Sequence, residues 1–143
     1  MKSRFVLLCS LAAYLIALGL PALHGGAKSL SGLTLLLLGW FQAVGGECFA
    51  WLANLLFFAG IALFFCKRYR ATLIAALTAS LVGLDTFRAT RFSVDSAGYN
   101  TNIDHIGYAF YVWQLSFILL AITSALRSSA NNSFKPKPLR GSA

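Results

Sequence analysis

The groups in this chain able to ligate a metal, move a proton or act as a nucleophile are few. They are Glu47, Asp85, Asp95, Asp104, His24, His105, Cys9, Cys48 and Cys66. Carboxylates and imidazoles can build a metal or acid–base site. Their spacing here matches no helical metal motif of the HExxH kind. Asp104 and His105 are adjacent, so on a helix their side chains would point apart. Haem ligation by His24 and His105 ranks below such a metal or acid–base site. The three cysteines show neither a CxxC pair nor a zinc spacing, and an odd, scattered set speaks against a disulfide framework. They read as small apolar residues. The expectation is therefore no catalytic residue, no metal and no cofactor. One ionic pattern stands out: Asp85, Arg88 and Arg91 are spaced three apart, and on a continuous helix they would form an ion-pair ladder. Asp85 falls just inside an apolar stretch, where an unpaired carboxylate is costly, so Arg88 is its natural partner.

A second set is polar but not ionisable at ordinary pH. Measured from the inner ends of four apolar stretches with the helical rise, Tyr14 is ~13 Å deep, Asn54 ~16 Å, Ser80 ~14 Å and Gln114 ~18 Å. Each helix thus places one polar side chain at similar depth. A buried amide without a partner in hydrocarbon costs several kcal/mol, so these groups should face inward and bond one another. Such a layer reads as a clamp that sets helix register. The alternative is a substrate or proton path, which usually needs an ionisable residue at mid-depth.

The elements that must position these residues follow from composition. The chain of 143 residues is 58% hydrophobic and only 11% charged. Soluble domains run nearer a quarter charged. Net charge is +8. No nucleic-acid motif accompanies it, and the charge lies on alternate sides of the apolar stretches. Lys2 and Arg4, then Lys67, Arg68 and Arg70, then Arg127, Lys135, Lys137 and Arg140 fall on one side. Glu47, Asp85, Asp95 and Asp104 fall on or next to the other two connections. This is the positive-inside pattern of a multi-pass protein with both termini cytoplasmic. The predicted fold class is all-α, an integral membrane four-helix bundle. Residues 1–126 form the bundle and 127–143 a basic flexible tail.

The spans are expected at about 5–23, 48–65, 71–87 and 108–126. The basic start, apolar middle and Pro21 also fit a signal peptide. The apolar run is long and no A-x-A site follows, so a retained helix is the reading adopted; cleavage would leave three spans. Residues 24–32 and 88–107 read as outer connections built of turns. Residues 33–44 are apolar almost all round but too short to span. They read as an interfacial or re-entrant helix ending at Gly45-Gly46. Only Cys66-Lys67-Arg68-Tyr69-Arg70 separates the second and third spans, which forces an antiparallel hairpin. Lys67, Arg68 and Arg70 there form an inner anchor for anionic headgroups. In the third span Ala71, Ala75, Ala79 and Gly83 make a small-residue stripe for helix packing, with Thr72, Ala76 and Ser80 beside it. Phe49, Trp51, Tyr108, Phe110, Tyr111 and Trp113 read as an outer aromatic belt, and Tyr69 as its inner counterpart.

Gly39-Trp40, Ala50-Trp51-Leu52-Ala53-Asn54, Lys67-Arg68-Tyr69-Arg70 and Gly107-Tyr108-Ala109-Phe110-Tyr111-Val112-Trp113 resemble a pattern in small uncharacterised bacterial inner-membrane proteins. The resemblance covers residues 39–126. It implies a bacterial four-span protein and carries no activity to transfer. Small multidrug-resistance transporters need a membrane-embedded Glu in the first helix, where this chain has Tyr14. Quinone-linked thiol oxidases need paired cysteines. The function expected is non-enzymatic: an accessory or scaffold subunit in a homo-oligomer or a larger membrane complex. One alternative is a small transporter or channel component that uses the Asn54/Gln114 layer. Another is an immunity-type protein that blocks a pore-forming toxin.

Overall fold

A computed structural model describes residues 2–26, 28–44, 48–93 and 100–133. Glu47, Asp95, the Gly45-Gly46 break and the tail lysines Lys135 and Lys137 lie outside them, as does Arg140. The chain is mostly helical. Four longer helices build the body: α1 (Lys2–Gly19), α4 (Leu52–Phe65), α5 (Tyr69–Gly83) and α6 (Tyr108–Ser133). Two short helices, α2 (Gly32–Leu38) and α3 (Trp40–Val44), cover one end. A 3-10 turn, Leu84–Arg88, extends α5. Two of the helical stretches, Tyr69–Arg88 and Tyr108–Asn131, are long and apolar enough to cross a membrane.

Each boundary has a local cause. Pro21 disfavours helical backbone at Leu20 and cannot donate to the ladder, so α1 stops at Gly19. The expected first span, 5–23, is therefore cut short, and its end becomes strand. Strand β1 (Pro21–Gly25) pairs antiparallel with β2 (Lys28–Ser31) on one side and with β5 (His105–Ile106) on the other. A second pair joins β3 (Arg91–Ser93) to β4 (Asn100–Asn102). Both connections read as turns thus carry strands. Gly/Ser-rich sequence signals a turn, but it is the partner strand, about 80 residues away for β1 and β5, that decides the ladder. Ser31 caps α2, its hydroxyl accepting from the Thr34 amide at 3.3 Å.

The α4–α5 hairpin closes through a complete Schellman motif. The Arg68 amide donates to the Leu63 carbonyl and the Lys67 amide to Phe64. Lys67 sits at φ 59°, a left-handed backbone that costs a non-glycine residue about 1–2 kcal/mol. Glycine there loses ~0.4–1 kcal/mol to unfolded-chain entropy. Lys67→Gly should therefore raise stability by about 0.5 kcal/mol, and Lys67→Val should lower it by about 1 kcal/mol. Thermal melting in detergent reads both; a stabilising valine would show that the motif is not maintained.

Small polar side chains share the interior with an apolar core that includes Phe57, Phe117 and Leu120, while many large apolar side chains remain outside. Ser10, Thr72, Ser116, Thr123 and Ser124 are fully enclosed, while Leu15, Ile74 and Leu81 are each about two-thirds exposed. Small residues set the helix contacts. Ser10, Ala13 and Ala17 of α1 are buried, as are Ala109, Ser116 and Thr123 at seven-residue spacing on α6, and α1–α6 is the most extensive helix contact. On α5 the buried face is Thr72, Ala76, Ala79 and Gly83. The expected stripe shares only Ala79 and Gly83 with it; Ala71 and Ala75 are half-buried. A strict four-residue step advances about 40° around a helix each time, whereas steps of four and three follow its true period. In the middle, Phe57 stacks on Tyr14 with ring centroids 4.7 Å apart and meets Phe117 at 5.2 Å.

Candidate functional site

The mid-depth polar side chains fall into two bonded groups, joined through α6. The Tyr14 hydroxyl of α1 donates to Asn54 Oδ1 of α4 at 2.8 Å. Trp113 Nε1 of α6 donates to the same oxygen at 3.0 Å. The Asn54 amide nitrogen in turn donates to the Trp51 carbonyl at 3.1 Å. One carbonyl oxygen therefore uses both lone pairs to tie α1, α4 and α6 together. Next along α6, Gln114 faces α5. The Ser80 hydroxyl donates to Gln114 Oε1 at 3.0 Å, and Gln114 Nε2 donates back to the Ser80 carbonyl at 3.1 Å. Gly83 makes this ring fit: a Cβ there would stand 2.5 Å from Gln114 Nε2.

Trp113 is the member that sequence reasoning missed. Its place among the aromatic residues near the start of α6 marks it as a belt residue. Tyr108 and Tyr111 do point outward, but Phe110 is buried and Trp113 turns in. The signal that separates them is helical phase: Phe110, Trp113 and Phe117 share a face, and Tyr108 and Tyr111 do not. Ser10 was missed as well. Its hydroxyl donates to the Ser116 carbonyl at 2.7 Å and bonds α1 directly to α6.

Above this layer, toward α2 and α3, lies a cavity of about 90 Å³ between α1, α2, α4, α6 and the residues that follow α5. Its floor includes Asn54 and Trp113. Its roof includes Leu35 and Leu36 of α2, held down by Trp51, whose Nε1 donates to the Leu36 carbonyl at 2.8 Å. Helices α2 and α3 have no buried residue, and Leu37, Leu38, Phe41 and Val44 are exposed on them.

The charged residues divide around this end. Asp85 Oδ1 accepts from Arg88 Nη1 at 3.1 Å, and Asp85 Oδ2 accepts from the Phe49 amide at 2.7 Å. The carboxylate thereby satisfies an amide at the entry to α4, where negative charge is favoured. Arg91 is not on that ladder. Backbone at Ala89 is extended, so the helical turn ends at Arg88 and Arg91 opens β3. The Arg91 carbonyl accepts from Gln42 Nε2 of α3 at 3.1 Å. His24 and His105, both expected on the outer side, face each other across the β1–β5 pair with rings stacked at 4.3 Å. The Asp104 carboxylate, instead of meeting either ring, accepts from the Gly26 amide at 2.7 Å.

At the opposite end, Lys67, Arg68 and Arg70 are all exposed on the hairpin. Cys9, Cys48 and Cys66 are free thiols. Among the described residues no group of three His, Cys, Asp or Glu side chains is placed to hold a metal. What the arrangement offers chemically is a hydrogen-bonded polar hub and a small, mostly apolar cavity beside it. Comparison with known proteins finds no matching family model, no matching curated protein and no matching solved structure.

Proposed function

We infer that the chain is a four-span protein of the bacterial inner membrane, with both termini cytoplasmic. In this reading it is a non-enzymatic accessory or scaffold subunit. The observation that carries it is the closure of the polar layer. Each mid-depth polar side chain is bonded to another part of the bundle, so no chain of open donors and acceptors crosses it. A conduction path needs groups free to bind and release a solute or proton. A clamp needs the opposite, and the hub has that character.

The placement in a membrane draws support from the outward-facing Leu15, Phe58, Ile74, Leu81 and Ile118 on the four longer helices. An exterior of large apolar side chains on all four helices suits lipid and not water. Helix α1 has 18 residues, which at ~1.5 Å each gives roughly 27 Å, close to a bilayer core. The charge distribution supports an orientation with the Lys67–Arg70 hairpin inside and α2, α3 and the cavity outside. The basic inner face then meets anionic headgroups.

Two measurements test this. Reporter fusions after Arg70, Ser96 and Arg140 should give cytoplasmic signals at 70 and 140 and an external one at 96. A cytoplasmic signal at 96 would overturn the topology. Purification in mild detergent should recover a stoichiometric membrane partner or a homo-oligomer. Recovery of a lone monomer that carries solute flux in vesicles would replace the subunit reading with transport.

A further inference from the structure

We propose that Arg127 centres a phosphate-binding site at the inner mouth of the bundle, filled by a phospholipid headgroup or by free phosphate. This site deepens the headgroup contact inferred above and takes its leaflet from that orientation.

An orphaned donor points to a ligand. Arg127 Nε is buried and has no hydrogen-bond partner, the one such side-chain atom among the described residues. Arginine does not lose its proton in proteins, so the charge stays and a buried charged donor without an acceptor is costly. Helical phase explains the burial. Arg127 lies seven residues after Leu120, so it leaves α6 in nearly the same direction. Leu120 is fully enclosed, and so are Thr123 and Ser124, one turn before Arg127. The outward face of α6 runs instead through Tyr111, Leu115, Ile118, Ile122 and Leu126. A partner helix lying against that face does not reach the buried nitrogen.

The chain supplies no carboxylate side chain at this end. Asp85 and Asp104 make their bonds at the far end of the bundle, and Glu47 and Asp95 belong in sequence to the connections there. The helical rise carries Arg127 ~29 Å along α6 from Tyr108, away from all four. Cations gather at this level instead. Measured inward from the Ser80–Gln114 bond, Arg127 is ~20 Å away along α6, and Arg68 and Arg70 are ~18 and ~15 Å away along α5. Both of these are exposed on the hairpin and raise the local potential for an anion. The Nε–H and the neighbouring Nη–H of a guanidinium form a fork that matches two oxygens of a phosphate. Arg127 is only half-buried, so rotation about its last side-chain bonds turns that edge toward the mouth. It opens the polar end of α6, which in this orientation is the depth of phospholipid headgroups.

The experiment extracts the full chain in mild detergent from vesicles of equal parts phosphatidylcholine and phosphatidylglycerol. Native mass spectrometry then counts retained lipid. Phosphatidylglycerol should be retained in preference, and Arg127→Gln should cut its retention about ten-fold. Arg4→Gln, which removes an exposed cation of the same side, should change it less than about two-fold. Arg127→Lys keeps the charge without the fork and should bind about three-fold more weakly than the wild type; it also serves if the glutamine variant does not fold. Free phosphate is tested by melting the lipid-stripped chain in inorganic phosphate and in sodium chloride of equal ionic strength. Stabilisation by phosphate that is lost in Arg127→Gln, without retained lipid, keeps the site and makes free phosphate its source. Arg127-dependent lipid retention that inorganic phosphate does not displace makes the headgroup its source. If neither retention nor melting depends on Arg127, or if Arg4→Gln loses as much as Arg127→Gln, the site is overturned in favour of general attraction to a basic face. Full retention by Arg127→Lys overturns the fork contact. Acetate that protects as well as phosphate, or loss of a protein partner alone in Arg127→Gln, overturns the choice of phosphate over carboxylate. The position 96 reporter is read separately: Arg127-dependent retention with a cytoplasmic signal at 96 keeps the site and reverses only the leaflet.

Discussion

Asn54→Leu should lower stability by about 3 kcal/mol, the largest loss expected from any single polar-to-apolar change in the hub. Two effects bracket the value. Interhelical hydrogen bonds in membrane proteins average about 0.6 kcal/mol each, so two bonds alone would give ~1.2 kcal/mol. Leucine, however, removes one oxygen and orphans two donors, the Tyr14 hydroxyl and the Trp113 indole. A buried donor left without a partner costs about 1–3 kcal/mol. Tyr14 is 4% exposed, so water does not rescue it. The two orphaned donors therefore outweigh the bonds themselves. Tyr14→Phe removes a donor and leaves the Asn54 oxygen bonded to Trp113, so it should cost only ~1 kcal/mol. In the double variant Tyr14→Phe/Asn54→Leu the costs should be clearly less than additive. Equilibrium unfolding in mixed detergent, with tryptophan fluorescence as the readout, measures all three. A loss under about 1 kcal/mol for Asn54→Leu would mean that the hub does not clamp the helices.

Gly83→Leu should cost nearly as much, for a steric reason. The first atom of any side chain at position 83 would lie 2.5 Å from Gln114 Nε2 and 3.1 Å from Trp113 Cζ3. Gln114 must then leave Ser80, breaking both bonds of the ring. Overpacking typically costs about 1–3 kcal/mol, and an orphaned buried amide a similar amount. Replacing glycine in a helix returns up to about 1 kcal/mol, so the net loss is about 3 kcal/mol. Gly60→Ala is the control. Its nearest neighbour would be the flexible Leu120 Cδ2 at 3.2 Å, with Ala75 Cβ at 3.6 Å. There propensity and crowding nearly cancel, and the change should stay within about 1 kcal/mol of neutral. If both glycine variants melt at the same temperature, Gly83 has no special role in seating Gln114.

The four apolar stretches lie where the four longer helices lie, because hydrophobic length is a local property that composition carries. The positions of Tyr14, Asn54, Ser80 and Gln114 could likewise be read from depth along each stretch. Which of them bond each other could not. Pairing depends on rotation about the helix axes, and α6 presents Trp113 and Gln114 to different neighbours although they are adjacent in sequence. The small-residue stripe shows the same limit. Alanines are visible in the chain, but the face that packs is set by the partner helix. Long-range strand pairing was the least legible feature. Nothing near His24 announces that its ring stacks on His105, and nothing near Asp104 announces its bond to the Gly26 amide. Arg91 was misplaced because the helical spacing was extended past a backbone turn at Ala89 that carries no proline or glycine to mark it. At the other end, α6 runs to Ser133, into a stretch of Ser and Asn that composition alone assigns to tail.

Helix lengths within the bundle are unequal, and a bilayer would have to respond. Helix α4 has 14 residues, roughly 21 Å, while α6 has 26, roughly 39 Å. The last turns of α6, from Arg127 to Ser133, are polar, so its apolar part of roughly 28 Å matches a hydrocarbon layer of about 30 Å, which is too thick only for α4. The short helix is accommodated by drawing the two leaflets together beside it, at a cost of fractions of a kcal/mol per ångström. The protein would then sit in a dimple that is deepest on the α4 side. Two such dimples cost less merged than apart, so the lipid itself would draw copies together along that side and favour thinner regions of membrane.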